Sequence, residues 1–246
     1  EGKIVSSDWK VGGLVGEAEN CTFDNCSSSA TVTGPSSVGG VVGEARDCTF
    51  NKSRSTGTVT AAGWSGGFVG DAINCTFTKC RSAGNVIGKP SLADNSSTYA
   101  CRIGGFGGYV QSGCSFADCY STATVSASDD KNVGGFAGFV DGDSTTSMVS
   151  FTRCYTTGAA TGKTVVGGFA GHLEYCNMED CYSKCTTIAI GEDIGSGITS
   201  AQLGGFVGEI TDTRTTINLT RCYAMGKVNA PASSGYVSLV YAGGFS

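Results

Sequence analysis

The string Val11–Gly12–Gly13–Leu14–Val15–Gly16 returns with small changes along the whole chain. Gly pairs begin at Gly12, Gly39, Gly66, Gly104, Gly134, Gly167, Gly204 and Gly243, at intervals of 27, 27, 38, 30, 33, 37 and 39 residues. Self-similarity at such a period is the mark of a repeat architecture, in which one unit is too small to bury its own apolar face. The count gives seven full units and the start of an eighth.

Aligned on the Gly pair, the units share files of like residues. One file reads Leu14, Val41, Phe68, Phe106, Phe136, Phe169, Phe206, Phe245. Another reads Cys21, Cys48, Cys75, Cys114, Val149, Cys176, Ile217, and two residues on comes Phe23, Phe50, Phe77, Phe116, Phe151, Met178, Leu219. A polar pair follows, from Asp24–Asn25 to Thr220–Arg221. After it the file is Cys26, Ser53, Cys80, Cys119, Cys154, Cys181, Cys222. Six residues further stand Val32, Val59, Val86, Val125, Ala160 and Val228, with Ile188 one residue late in the sixth unit.

Short apolar–polar alternation is a strand signal, and the polar pair reads as a corner. The pattern predicts an all-β parallel β-helix, or β-solenoid, with one coil per repeat of 27–39 residues and about three short strands per coil. Residues 1–246 then form one domain, and equivalent side chains stand above one another at ~4.8 Å. Seven coils make a rod about 35 Å tall by that rise. Gly pairs suit close backbone approach or a tight bend at positive φ. Right-handed winding is the default for parallel crossovers.

Thirteen cysteines point to an oxidising compartment rather than the cytosol. The recurring spacing is C-x4-C, and the single histidine is His172, so zinc-ligand patterns are absent. Obligatory C-x4-C bridges would lose cysteines in pairs, yet Cys48, Cys154 and Cys222 face Ser53, Val149 and Ile217. The files therefore read first as buried, small, apolar side chains. Bridges within a coil or between neighbouring coils stay open, because the strand spacing falls within the usual disulfide range. Cys101 and Cys185 lie off both files.

The segments VGGLVGEAENCTF, VGGVVGEARDCTF, SGGFVGDAINCTF and LGGFVGEITDTRT resemble the GLUG-motif repeats of bacterial surface proteins. Such Gly-rich repeats occur in large adhesin-like proteins of the cell surface and beside an IgA-cleaving peptidase domain. The resemblance covers nearly the whole chain, and what it implies is a structural or adhesive solenoid.

The net charge of −5 and the lack of a basic run exclude a nucleic-acid footprint. No apolar run reaches the roughly 18 residues of a membrane span. Asn-x-Ser/Thr sequons stand at Asn20, Asn25, Asn51, Asn74, Asn95 and Asn218. They are read either as N-glycosylation sites of a secreted glycoprotein or as turn-rich sequence. The chain opens on Glu1, and Gly2–Lys3–Ile4 and Gly243–Gly244–Phe245 read as parts of incomplete coils. We expect a window of a longer array, continued by more coils or by another subunit stacked into a filament.

Candidate sites are few. Tyr120, Tyr155, Tyr182 and Tyr223 form an outward file, preceded by Ser27, Arg54 and Arg81. It would bind sugar rings or a partner chain, or only stabilise the sheet. Glu17, Glu44, Asp71 and Glu209 form an acidic file with His172 in the same position. It reads as an exposed, hydrated edge or a calcium site, and no other cofactor is expected. Thr31–Val32–Thr33 and Thr58–Val59–Thr60 suggest an ice-binding face, but the row decays in later units. Asp129, Asp130, Lys131, Asp141 and Asp143 would serve a polysaccharide-degrading β-helix enzyme. Insertions at Lys89–Arg102, Ala189–Gln202 and Asn229–Tyr241 emerge at one corner, where recognition loops belong. The reading that absorbs most of these features is a non-enzymatic, extracellular or cell-surface rod. It would meet proteins or glycans outside the cell, with no membrane span in this segment.

Overall fold

The structure, a computed structural model, describes residues 2–92, 101–127, 132–190, 201–210, 216–229 and 241–243. It is a parallel β-solenoid of five sheets. The second coil shows them in order. Sheet I carries Val38–Gly39, sheet II Val42–Arg46, sheet III Thr49–Asn51, sheet IV Arg54–Ser55 and sheet V Val59–Ala61. Sheets I and V have eight strands each, and the other three have seven. No helix among the described residues is long and apolar enough to cross a membrane.

Five strands per coil replace the expected three, and the corners explain why. Up to two single-residue corners in a coil sit in the left-handed region. One joins sheets II and III at Asn20, Asp47 and Asn74, with φ of 53°, 52° and 50°. The other joins sheets III and IV at Asn25, Lys52, Lys79, Asp118, Arg153, Asp180 and Arg221, with φ between 49° and 56°. Asn and Asp tolerate this conformation best, so the polar pairs are corners in fact. Each corner cuts a stretch that would otherwise read as one strand.

The register places like over like. Phe23 pairs with Phe50, Phe50 with Phe77, Phe77 with Phe116 and Phe116 with Phe151. Their rings stack at 4.6–4.9 Å. A second file, Phe68, Phe106, Phe136, Phe169 and Phe206, stacks at 4.7–5.1 Å. The files meet edge to face, as between Phe77 and Phe106 at 5.6 Å. In the sixth coil the register places Thr187, not Ile188, in the valine file. Thr187 is buried and its Oγ1 donates to the Lys227 carbonyl, while Ile188 stands beside Thr161 and Asn229.

Two apolar cores run the length of the solenoid. The larger, between sheets II, III and IV, holds both phenylalanine files and the two main cysteine files. The smaller, between sheets I and V, is built from Val32, Val59, Val86, Val125 and their partners Val38, Ile103, Val133 and Val166. Glycines let sheets I and II pass between them. A Cβ at Gly39 would stand 2.0 Å from the Val42 carbonyl oxygen, and one at Gly70 2.5 Å from the Val38 nitrogen. Close approach, not positive φ, is thus what fixes these glycines.

Candidate functional site

The cysteine files are not merely apolar filling. Cys101 apart, the cysteines are free thiols. At the corner after each polar pair, a backbone N–H has no strand partner of its own. The thiol one coil on accepts it: Cys80 N–H donates to Cys119 Sγ and Cys154 N–H to Cys181 Sγ, both at 3.4 Å. The thiol hydrogen is donated in turn to carbonyls, as from Cys119 to Ala117 at 3.3 Å. Ser53 does the same with oxygen, accepting Cys26 N–H at 3.0 Å and donating to Asn51 O. In the first file Cys75 N–H donates to Cys114 Sγ at 3.4 Å. Where the sequence writes Val149 and Ile217, the N–H above turns to Gln111 O and Thr216 O. Burial pushes the Cys114, Cys154 and Cys176 thiols well above the ordinary range, so they stand neutral. Cys185 is buried too, in a file of Ala and Gly between sheets IV and V, against Gly135.

The acidic file is not a hydrated edge. It lies in the seam where sheet II folds back on the strands leading into sheet I, and Glu44, Asp71 and His172 are buried. In register the file is Glu17, Glu44, Asp71, Tyr109, Phe139, His172, Glu209. Residues opposite neutralise or cover it. Lys10 Nζ stands 2.7 Å from Glu17 and 3.3 Å from Glu44. Arg46 Nε holds Glu44 at 2.7 Å. Gln111 Nε2 donates to Asp71 at 2.7 Å, and Gln202 to Glu209 at 2.8 Å. The Arg102 guanidinium lies 3.7 Å from the Tyr109 ring centre and 4.4 Å from that of Phe139. The His172 ring stacks on Phe139 at 4.3 Å, with Glu174 at 3.0 Å and Glu209 at 3.4 Å from its nitrogens. Burial raises the Asp71 carboxyl to about 6. Burial, with Asp141 as acceptor, raises the Tyr109 phenol to about 12. Among the described residues no three His, Cys, Asp or Glu side chains are grouped to hold a metal.

The outward file on sheet IV is different. Tyr120, Tyr155, Tyr182 and Tyr223 stack at 4.8, 4.9 and 5.3 Å with their planes within 7°. Each inner ring covers its neighbours' faces, so the row presents ring edges and hydroxyls to solvent. Arg81 continues it, donating from Nη1 to Tyr120 Oη at 3.0 Å, and Arg54 pairs in register with Arg81. Burial and the neighbouring phenols raise the Tyr155 hydroxyl above its usual range. Beside this row run the corner residues. Arg153 clamps both Asp118 oxygens at 2.6 and 3.1 Å, and Arg221 holds Asp180 and Glu179. These hydrogen bonds hold the Asp118 and Asp180 carboxyls below the usual carboxylate range.

The sequons gather around sheet III. Asn20, Asn25 and Asn74 are corner residues, and Asn51 and Asn218 lie on its strands. The amides of Asn51, Asn74 and Asn218 donate to Asp24, Asp47 and Asn177 on the neighbouring coil. Asn95, Asp129, Asp130, Lys131 and Phe245 lie outside the described residues, as do the central parts of the three insertions. Asp141 accepts from the Tyr109 hydroxyl and Asp143 from Ser112. Sequence reasoning missed Tyr109 and Phe139 as members of the acidic file. Counting five residues from the first glycine of each pair finds both.

No curated protein matches the chain. The family model described as the GLUG motif matches residues 8–33 and 99–126. Each matched stretch reaches from the approach to sheet I through to sheet V, which is one whole coil. The GLUG motif is thus matched in two coils, and the remaining coils repeat the same five strands in the same register.

Proposed function

We propose that this repeat structural protein is a rigid, adhesive rod of the cell surface or extracellular space. The observation that carries the reading is continuity: five parallel sheets run unbroken through every described coil, with like residues in file. A repeat lattice of this kind resists bending and local unfolding, because each coil is held by its neighbours on both sides. Its outer faces repeat the same chemistry at every rung, so many weak contacts to one extended partner add. The partner is an extracellular protein or glycan, met by the outer face of sheet IV and by the loops between sheets V and I.

Two measurements test this. Surface labelling of intact source cells with a membrane-impermeant reagent should modify the protein, and protection from the reagent would overturn the location. Binding of the purified chain to arrays of glycans and matrix proteins should be detectable and should rise steeply when the chain is multimerised. No binding in either form would remove the adhesive role and leave only the rod.

A further inference from the structure

Five cations of the described residues are matched by carboxylates or rings. Lys10 and Arg46 serve the seam carboxylates, Arg153 and Arg221 hold their own corner carboxylates, and Arg102 lies between aromatic rings. Lys52, Arg54, Lys79 and Arg81 are not matched in this way, and unlike Lys3, Lys184 and Lys227, which also make no ion pair among the described residues, they stand side by side. All four are exposed, and none makes an ion pair among the described residues. They stand on two consecutive coils, in two adjacent files. Lys52 and Lys79 occupy corners, and Arg54 and Arg81 are direct register partners on sheet IV. Like charges directly opposite across a ladder are destabilising. Asp118 attracts Lys79 from one rung on, but no ion pair forms between them. Asp118, one rung on from Lys79, has both oxygens taken by Arg153, and Asp24 accepts the Asn51 amide.

We propose that these four side chains bind an acidic polysaccharide, a polymer carrying sulfate esters or uronic carboxylates. This deepens the adhesive reading and rests on it. The paired rows present four cations within about two rungs of ~4.8 Å, which suits a chain of repeated anions rather than one small ion. Around them the surface offers hydroxyls and amides, among them Thr49, Asn51, Thr76 and Thr78, which complement sugar hydroxyls. A single-stranded nucleic acid would need open aromatic faces for its bases. Here the tyrosine rings cover one another and leave only edges. The net charge of −5 also opposes a long polyphosphate beyond the patch.

The test is binding of the whole chain to immobilised dextran sulfate, polygalacturonate, neutral dextran and polyuridylate over a range of salt. One or both acidic polysaccharides should bind, neutral dextran should not, and log affinity should fall linearly with log salt. The two acidic arms separate sulfate from carboxylate recognition. A variant with Lys52→Asn, Arg54→Tyr, Lys79→Asn and Arg81→Tyr takes its replacements from the same files, as at Asn25 and Tyr120, and so preserves the coil. It should lose roughly tenfold or more in affinity with an unchanged circular-dichroism spectrum. Lys184→Ser with Lys227→Ser removes charge elsewhere and should leave affinity within about twofold. Equal binding by the quadruple variant, or polyuridylate bound as tightly as either polysaccharide, overturns the site. If the parent and the quadruple variant adhere equally to cells or arrays, the site fails and the adhesive role stands. If the parent adheres to neither, yet its dextran sulfate binding needs the patch, the site stands and the adhesive role falls.

Discussion

The interior phenylalanine files and the exterior tyrosine row are the same object in two solvents. Phe106 lies 4.8 Å from Phe136, and Tyr120 lies 4.8 Å from Tyr155, with planes within 7° in both cases. The spacing is set by the strand ladder, not chosen by the rings. What differs is everything else. Phe106 and Phe136 are fully buried and also meet a second file edge to face, while the tyrosines are half-exposed and meet no second aromatic file. Stacking at this distance is thus a consequence of the fold, and burial is what makes one stack stabilising and the other available for recognition.

The sharpest break of that comparison is Phe106→Ala. The ring touches Phe68 and Phe136 in its own file and Phe77 and Phe116 in the other. Its loss should cost about 3–5 kcal/mol, because neighbouring coils hold the cavity open. Equilibrium denaturation measures it, and a loss below about 1 kcal/mol would mean that the core collapses or that the files are not in contact.

Such files were legible in the sequence because a core position repeats the same residue at the same offset. Phe23, Phe50 and Phe77 fall in line under simple alignment, and the register confirms them. The seam was not legible in the same way. Its file changes from Glu44 and Asp71 to Tyr109, Phe139 and His172, so an acidic signature stops while the position continues. Their burial depends on how tightly sheets I and II approach, which the glycines permit but no local pattern displays. The cysteine files fell between these cases. Their inward place could be read from Cys80 and Cys119, but not their task of accepting a corner N–H, which needs the next coil's geometry.

Asp71 probes the seam. Its carboxyl titrates near 6 in the folded chain and near 3.8 when unfolded. The folded state therefore holds a proton that the unfolded state releases, and stability falls as pH rises from about 4 to 6. Asp71→Asn keeps an oxygen acceptor for Gln111 and removes this loss. It should stabilise the protein at pH 7 by roughly 2–3 kcal/mol and by little at pH 4. Melting curves at both pH values decide it, and an equal shift at the two would place the effect outside titration.

At Cys119 the comparison becomes one of chemistry at constant shape. Cys119→Val fills the same space but orphans the Cys80 N–H, at a cost of about 1–3 kcal/mol. Cys119→Ser retains an acceptor, as Ser53 does two coils earlier in the same file, and should cost less than Val. If the order is reversed, apolar filling and not hydrogen bonding governs the file.

The smallest effect is expected outside. Tyr155→Ala removes a ring stacked on two neighbours, yet the ring stays partly in water in the folded chain. Cross-strand pairs of this kind contribute roughly 0.2–1 kcal/mol each, so about 1 kcal/mol should be lost. The variant also uncovers a face of Tyr120 and a face of Tyr182. If covered faces are what deny the row to planar ligands, the variant should quench more readily with a small aromatic solute than the parent does. A stability loss matching that of Phe106→Ala would erase the distinction between the two stacks. It would mean that ring contact, rather than removal from water, is what holds neighbouring coils together.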